Sequence, residues 1–200
     1  MNTLTDALTL LFAPQRGWDA IAARSSSGLT TFLTHTVPFS LLPAACWYYG
    51  VTTNGWSISG DVMRLTPESA LPMCILFYLA MVSGVLFLSY AVRWMAVTYG
   101  ASATFEQSLK LITYTATPFF IAGVLGLYPL LWLDILMGTA IAAYCIYLLY
   151  AGVSPMMGVA REQGFLYASA VFAVALVAFV GLLTVTVLLW DFGPAPEYTY

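Results

Sequence analysis

The sequence predicts an all-α integral membrane protein with five transmembrane helices and an N-terminal interfacial amphipathic helix, the N-terminus inside and the C-terminus outside. Three observations lead to this fold class: the composition, the lengths of the apolar segments and the distribution of Lys and Arg. Of the 200 residues, 61% are hydrophobic and 8% are charged, whereas a soluble domain has about 25% charged residues. Most of the chain therefore cannot face water.

Five apolar segments are long enough to cross a bilayer, since a spanning helix needs about 20 residues. We expect these spans at residues 29–50, 70–92, 109–127, 131–151 and 165–190. Only three residues around Pro129 separate the third span from the fourth, and so short a connection predicts an antiparallel helical hairpin. The chain then divides into a cytoplasmic N-terminal segment, a five-helix membrane domain and a short outside tail, at residues 1–28, 29–192 and 193–200.

The positive charges predict the orientation, because cytoplasmic loops carry an excess of Lys and Arg. With the N-terminus inside, only Arg64 of the six Lys and Arg residues lies outside. The others lie on the cytoplasmic side: Arg16, Arg24, Arg93, Lys110 and Arg161.

Apolar residues before the first span repeat at helical spacing. Leu8 and Leu11 precede Pro14, and Trp18 and Ile21 resume the stripe after it. Two arrangements fit this pattern: a helix lying on the inner leaflet, or a helix packed under the bundle as its floor. Both place Trp18 at the level of the lipid headgroups.

Several short motifs follow one another along the chain. They are, in order, Pro14-x3-Trp18, Tyr99-Gly100, Tyr114-x3-Pro118, Tyr128-Pro129, Trp132 and Tyr147-Leu-Leu-Tyr-Ala-Gly152. In order and spacing they resemble the Yip family (Ypt/Rab-interacting proteins), and within it the small YohC-like inner-membrane proteins of bacteria. The resemblance implies five spanning helices, a cytoplasmic N-terminus and a multi-pass location in the bacterial inner membrane. The acidic Asp-Leu-Tyr-Gly-Pro motif of the eukaryotic relatives, which act in vesicle traffic, is absent, so Rab binding is not predicted.

Five residues in or beside the spans are candidates for a functional or structural polar site: His35, Tyr114, Pro118, Pro129 and Asp134. A proline in a helix frees the carbonyl four residues earlier, so Pro118 predicts either a fixed kink or a hinge and cavity near Tyr114. His35 is expected either to donate to a freed carbonyl or to handle protons. Asp134 is expected either to cap the first turn of the fourth span or to contact an ion or substrate.

Two further patterns predict local contacts. Glu106 and Lys110 are spaced i, i+4 and are expected to pair on the surface. Small residues four positions apart predict close packing inside the bundle or, where they face lipid, an association surface. These motifs are Ala80-x3-Gly84, Gly138-x3-Ala142 and Ser169-x3-Ala173.

Catalytic, cofactor-binding and metal-binding residues are not predicted. The sequence has no Ser/His/Asp set at one depth, no Cys pair at metal spacing and no glycine-rich phosphate loop. Cys46, Cys74 and Cys145 each lie in an apolar run and are interpreted as small buried hydrophobes. A net charge of −3 and the lack of a basic run argue against a nucleic-acid partner.

The leading hypothesis is therefore a non-catalytic inner-membrane protein that organises or scaffolds membrane partners. Its expected partners are the lipid bilayer and either further copies of itself or other membrane proteins. One alternative is a transporter or channel for a small molecule, ion or lipid, with a polar site around Tyr114, Pro118 and Asp134. The other alternative is an accessory subunit of a larger membrane complex.

Overall fold

The computed structural model describes residues 3–24, 26–58, 61–190 and 195–199. Its α-helices are α1 (Thr3–Phe12), α2 (Pro14–Ala22), α3 (Gly28–Thr31), α4 (Val37–Phe39), α5 (Leu41–Tyr49), α6 (Pro67–Met95), α7 (Phe105–Thr115), α8 (Thr117–Ala122), α9 (Leu131–Met157) and α10 (Arg161–Trp190). Two π-helical segments (Phe32–Thr36, Gly50–Asn54) and two 3-10 segments (Ala96–Tyr99, Gly123–Leu127) extend or join them. The strands are β1 (Trp56–Ile58), β2 (Asp61–Leu65) and β3 (Tyr198–Thr199).

Within these described residues, four helical stretches are long and apolar enough to cross a membrane. They are Pro67–Tyr99, Phe105–Leu127, Leu131–Met157 and Arg161–Trp190, and they contain the second to fifth predicted spans. The first predicted span, residues 29–50, is helical but interrupted and is not among the four.

Prolines interrupt the helix over residues 28–54, which we call the broken helix. Pro38 has no N–H to offer the Thr34 carbonyl. The segment Phe32–Thr36 is accordingly π-helical, and the Val37 N–H bonds to the Phe32 carbonyl five residues earlier. Pro38 thus accounts for the first irregular segment of this helix.

A second irregular helix, Phe105–Leu127, is called the kinked helix. It starts at a capping box, in which Thr104 accepts from the backbone of Gln107 and the Gln107 side chain accepts from the backbone of Thr104. It is divided at Ala116, two residues before Pro118, where the sequence predicts a kink.

The broken helix and the kinked helix lie side by side and run in the same direction. At one end, Gly28 contacts the backbone of Glu106 so closely that a Cβ atom would not fit. At the other end, the Asn54 side chain donates to the Leu127 carbonyl at 2.6 Å. The two helices therefore contact each other from end to end.

Glycines allow this close approach near the Asn54 end. A Cβ on Gly50 would collide with the Gly126 carbonyl, and a Cβ on Gly123 would collide with the ring of Pro43. The absence of side chains at these positions lets backbone pack against backbone.

Much of the main hydrophobic core lies where α6 ends, α9 ends and α10 begins. We define the packed end as residues 85–96, 148–157 and 161–171. Its fully buried side chains include Val92, Leu148, Val153, Tyr167 and Val171. The Tyr167 hydroxyl donates to the Val92 carbonyl and so links α10 to α6.

The opposite halves of α9 and α10 have few protein neighbours. We define this open end as residues 131–147 and 172–190. Every residue from 181 to 190 is exposed, and none from 131 to 147 is buried. Apart from adjoining residues and the backbone of their own helix, no described atom lies within 4 Å of the Cβ position of Gly138 or Gly181. The apolar side chains of the open end are thus available to lipid or to another protein.

The N-terminal helices α1 and α2 dock on α9 rather than lie free on a membrane surface. Trp18 is fully buried, and its indole nitrogen donates to the Leu148 carbonyl at 3.1 Å. The Tyr144 hydroxyl donates to the Leu11 carbonyl at 2.7 Å. These contacts favour the packed floor over the interfacial helix, and protein rather than headgroups surrounds the Trp18 ring. Phe12, 86% exposed, retains an outward apolar surface.

A small antiparallel sheet at the open end departs from the all-α prediction. β1 pairs with β2, and β2 pairs with β3 through Leu65 and Tyr198. The Thr66 N–H also donates to the Glu197 carbonyl at 2.9 Å. In its described residues the predicted outside tail is thus paired with the loop that precedes α6, and both lie at the same end of the bundle.

Candidate functional site

His35 lies fully buried where the broken helix meets the kinked helix. Its Nε2 atom is 2.9 Å from the Thr117 hydroxyl. Its ring stacks on Phe39 with a centroid distance of 4.4 Å, and the Tyr114 ring lies at 5.5 Å. His35 belongs to the π-helical segment, and such segments occur frequently at functional sites.

Threonine hydroxyls extend this polar cluster, and their hydrogen bonds indicate which ring nitrogen of His35 carries the proton. The Thr117 hydroxyl donates to the Thr113 carbonyl at 3.3 Å. The Thr36 hydroxyl donates to the Thr113 hydroxyl at 3.1 Å. Because Thr117 uses its proton on the carbonyl, it accepts from an Nε2–H of His35. Nδ1 is then an acceptor, and it has no hydrogen-bond partner among the described residues.

The cluster can fix two helices against each other. Throughout the described ranges, no hydrogen bond or ion pair connects His35 to a carboxylate. A proton relay would need such a partner. The same ranges contain no group of three His, Cys, Asp or Glu residues that could hold a metal ion. The geometry therefore fits a structural polar contact between the two helices, which we call the polar joint, in which the Nδ1 atom of His35 accepts no hydrogen bond from the described residues.

Three of the five predicted polar residues come together at this joint. His35 and Tyr114 face each other, and Pro118 directly follows Thr117, the partner of His35. Tyr114 is 3% exposed, so its ring belongs to the core rather than to an open channel.

The other two predicted residues lie elsewhere. Pro129 lies in the turn between the kinked helix and α9, and Asp134 lies in the first turn of α9. In the described part of the chain the Asp134 carboxylate makes no hydrogen bond, and the residue preceding α9, Leu130, offers no side-chain cap. Asp134 is therefore placed to interact with the helix dipole but does not cap a backbone N–H.

Glu106 and Lys110 attract each other electrostatically, as the spacing predicts, but they form no direct ion pair and their hydrogen bonds go to the start of the broken helix and the segment before it. The Glu106 carboxylate accepts from the Ser27 hydroxyl at 2.9 Å and from the Gly28 backbone, and so caps the broken helix. Lys110 donates to the Arg24 carbonyl at 3.1 Å and is only 5% exposed. Both side chains thus bond to residues distant in the chain. In the sequence, only the N-cap residue Ser27 indicates that a helix begins at this contact.

An apolar cleft of about 660 Å³ separates α6 from α10 at the open end. Phe77 and Ala80 line one wall, and Leu182 and Thr186 line the other. The cleft forms because the two helices are joined at the packed end and have no direct seam at the other.

Comparison with known proteins identifies the family. The Yip1 domain model matches residues 8–182. The chain belongs to the Yip1 domain family. The inner membrane protein YohC of Escherichia coli (strain K12) is 30% identical over 181 residues, which cover 90% of this chain and 93% of the relative. YohC of Escherichia coli O6:H1 aligns with the same identity and coverage.

The Yip1 match confirms the resemblance in the sequence motifs. Together with the four membrane-capable helices, it makes this chain a multi-pass protein of the bacterial inner membrane. The Yip1 domain is not a known enzyme family. No solved structure matches the chain.

Proposed function

We propose that this Yip1-domain protein is a non-catalytic organiser of the inner membrane, which binds membrane partners or further copies of itself through its open end. The observation that carries the proposal is the exposure of the open end, where every residue from 181 to 190 lacks close protein packing. Helices in lipid associate through close packing at small residues. Gly138 and Ala142 form such a stripe on α9, and both are exposed.

The proposal includes five spans, with the broken helix as the first. Residues 28–54 are long enough to cross a hydrocarbon core of about 30 Å at about 1.5 Å per residue. This helix contacts the kinked helix, a membrane-capable stretch, at both of its ends. A helix that accompanies a spanning helix from end to end crosses the same thickness of bilayer.

The proposed orientation has the N-terminus inside, as the Lys and Arg distribution predicts. The pairing of β2 with β3 is consistent with the proposed number of spans, because four crossings separate these strands and return the chain to the same side. Alkaline phosphatase fused after Tyr200 should be active, and a green fluorescent protein at the same position should be dark. The reverse result would rule out this orientation.

Partner binding is tested by isolating the protein in native lipid discs and identifying what co-purifies. Self-association or stable partners are expected, and isoleucine at Gly138 should weaken them by obstructing the small-residue stripe. The matched control is Ala140→Ile, which places the same side chain on another exposed face of α9. Monomers without partners would contradict the proposal.

A second candidate function is a transporter or channel for a small molecule, ion or lipid. Two observations favour it: the unpartnered Nδ1 atom of His35 and the apolar cleft between α6 and α10. It predicts flux in reconstituted vesicles that falls in Tyr114→Phe and Asp134→Asn. Flux unchanged in both variants would remove these residues from the mechanism, and no flux of any tested solute or lipid would argue against this class.

A third candidate, an accessory subunit of a larger complex, uses the same exposed surface. It differs from the organiser in stoichiometry. A fixed ratio to one other membrane protein in native discs would favour the subunit, whereas self-assembly would favour the organiser.

A further inference from the structure

A polar cavity of about 240 Å³ lies beside the packed end, between the segment after α2, the first turns of α7 and the end of α9. Arg24, Ser102, Gln107 and Lys110 line its polar wall, and Ile21 belongs to its apolar wall. We call it the basic cavity. Its volume is many times the roughly 15 Å³ that admits one water, so it has room for a solvated anionic group.

Both ionisable side chains that line the basic cavity are cations, and one of them forms no direct ion pair among the described residues. Arg24 forms an ion pair with Asp6. Over the ranges that the structure describes, no carboxylate lies within ion-pair distance of Lys110, although this residue is only 5% exposed. Its ammonium group donates to the Arg24 carbonyl and has two further N–H donors. Buried charges are normally paired, so an anion in the cavity would supply the missing partner.

Glu106, one helical turn before Lys110, attracts its ammonium group but forms no direct ion pair with it. Its carboxylate accepts from the Ser27 hydroxyl at 2.9 Å and from the Leu29 N–H at 3.2 Å. It is thereby committed to the start of the broken helix, and it does not line the basic cavity. The Glu106 carboxylate therefore offsets the positive charge of Lys110 only in part, and it does so from outside the cavity.

The other polar groups of the wall suit a phosphate. Ser102 is exposed. Gln107 uses its side-chain oxygen to accept from Thr104, which leaves its amide nitrogen available as a donor. The wall thus combines ammonium, guanidinium, hydroxyl and amide donors, and it contains no carboxylate. Charge-assisted donors of this kind bind phosphate oxygens strongly.

We propose that the basic cavity binds a phosphate group, carried by an anionic lipid of the inner leaflet or by a soluble phosphate compound. Basic pockets between transmembrane helices on the cytoplasmic side bind anionic headgroups. The lipid source rests on the proposed orientation, whereas the phosphate chemistry does not. A phosphodiester with one negative charge would neutralise Lys110.

The first test titrates the full-length protein in a neutral detergent with phosphatidylglycerol, phosphatidylcholine and glycerol 3-phosphate. Native mass spectrometry counts the bound molecules, and thermal unfolding reports stabilisation. Saturable binding of phosphatidylglycerol in preference to phosphatidylcholine supports the lipid source, and saturable binding of glycerol 3-phosphate supports a soluble one. No binding of either phosphate compound beyond that of phosphatidylcholine would overturn the proposal.

The second test changes the charge of the cavity at its exposed rim. Ser102→Glu places a carboxylate beside Lys110, and we expect it to weaken binding about tenfold or more through charge repulsion. Ser102→Gln has the same length without the charge and should bind nearly as the wild type does. Equal affinities for these two variants would contradict a phosphate in the cavity.

A third comparison removes a cation. Lys110→Gln should abolish the preference for the anionic ligand, whereas Arg161→Gln removes a positive charge from an exposed helix start outside the cavity and should not. Equal losses in both variants would mean diffuse attraction to a basic surface, which contradicts a site. If Lys110→Gln fails to fold, the Ser102 pair still decides the question, because Ser102 is exposed.

Discussion

The packed end and the open end share the helices α9 and α10 and are both mainly apolar, yet they differ in what covers them. Leu149 in α9 is 6% exposed, while Leu136, on the same helix but in the open end, is 60% exposed. At the packed end α9 is covered by α2, α7 and α10. At the open end α9 is contacted by α8 and, through Tyr144, by α1, and its exposed side chains can be covered only by lipid or another protein. Hydrophobicity therefore assigns a helix to the membrane but does not show which part of it is core.

This difference in coverage suggests that the two ends have different roles. The packed end, together with the seam between the broken and kinked helices, supplies most of the intramolecular contacts that hold the fold. The open end contributes less to that packing and is the surface through which we propose that partners bind. Substitutions of one residue type at the two ends should then have different consequences.

The largest effect is expected from Trp18→Ala. This change removes a fully buried ring and its hydrogen bond to the Leu148 carbonyl, so the free energy of unfolding should fall by about 3–5 kcal/mol. Trp190→Ala, at the open end, is the control and should cost less than about 1 kcal/mol. Unfolding by SDS in mixed micelles measures both. Similar losses would mean that the two ends do not differ in stability.

A smaller effect is expected from Gly50→Val, at the seam of the broken and kinked helices. The new side chain would meet the Gly126 carbonyl, and relieving such overpacking costs about 1–3 kcal/mol. Gly84→Val adds the same group in α6, where nothing lies within 4 Å, and should leave the thermal midpoint nearly unchanged. A variant at Gly50 as stable as the one at Gly84 would argue against close parallel packing of these helices.

The smallest effect is expected from Glu106→Gln. The amide keeps the shape of the carboxylate but loses the charge that caps the broken helix at Ser27 and Gly28, at a cost of about 1 kcal/mol. Glu162→Gln, at the exposed start of α10, should cost only a few tenths of a kcal/mol. Denaturation of the two variants side by side measures the difference. Equal costs would indicate that the contact with the broken helix adds no stability beyond a surface charge.

The sequence predicts the long helices well and their ends less well. Apolar length identifies α6, α9 and α10, because each contains about 20 consecutive apolar residues or more. The helices continue past the predicted limits, for example to Met157 in α9, because backbone hydrogen bonding does not stop where hydrophobicity does. The prolines also mark the irregular regions of the broken and kinked helices.

What the sequence does not predict depends on residues distant in the chain. His35 and Thr117 are separated by 82 positions, and Glu106 is separated from Ser27 by 79. Trp18 appears interfacial from its local pattern, and only α9 shows it to be core. The small sheet requires Tyr198 beside Leu65, a pairing that no local pattern indicates. In each case a tertiary contact replaces the local interpretation.

The most direct test of the division between the two ends is photo-crosslinking in living cells, with one photoreactive residue placed in α9 at Leu136 or at Leu149. Both variants share the helix and the residue type replaced, and they differ in exposure. Adducts to a partner or to a second copy are expected from position 136 only. Adducts from position 149 alone, or in equal yield from both positions, would contradict the assignment of partner binding to the open end.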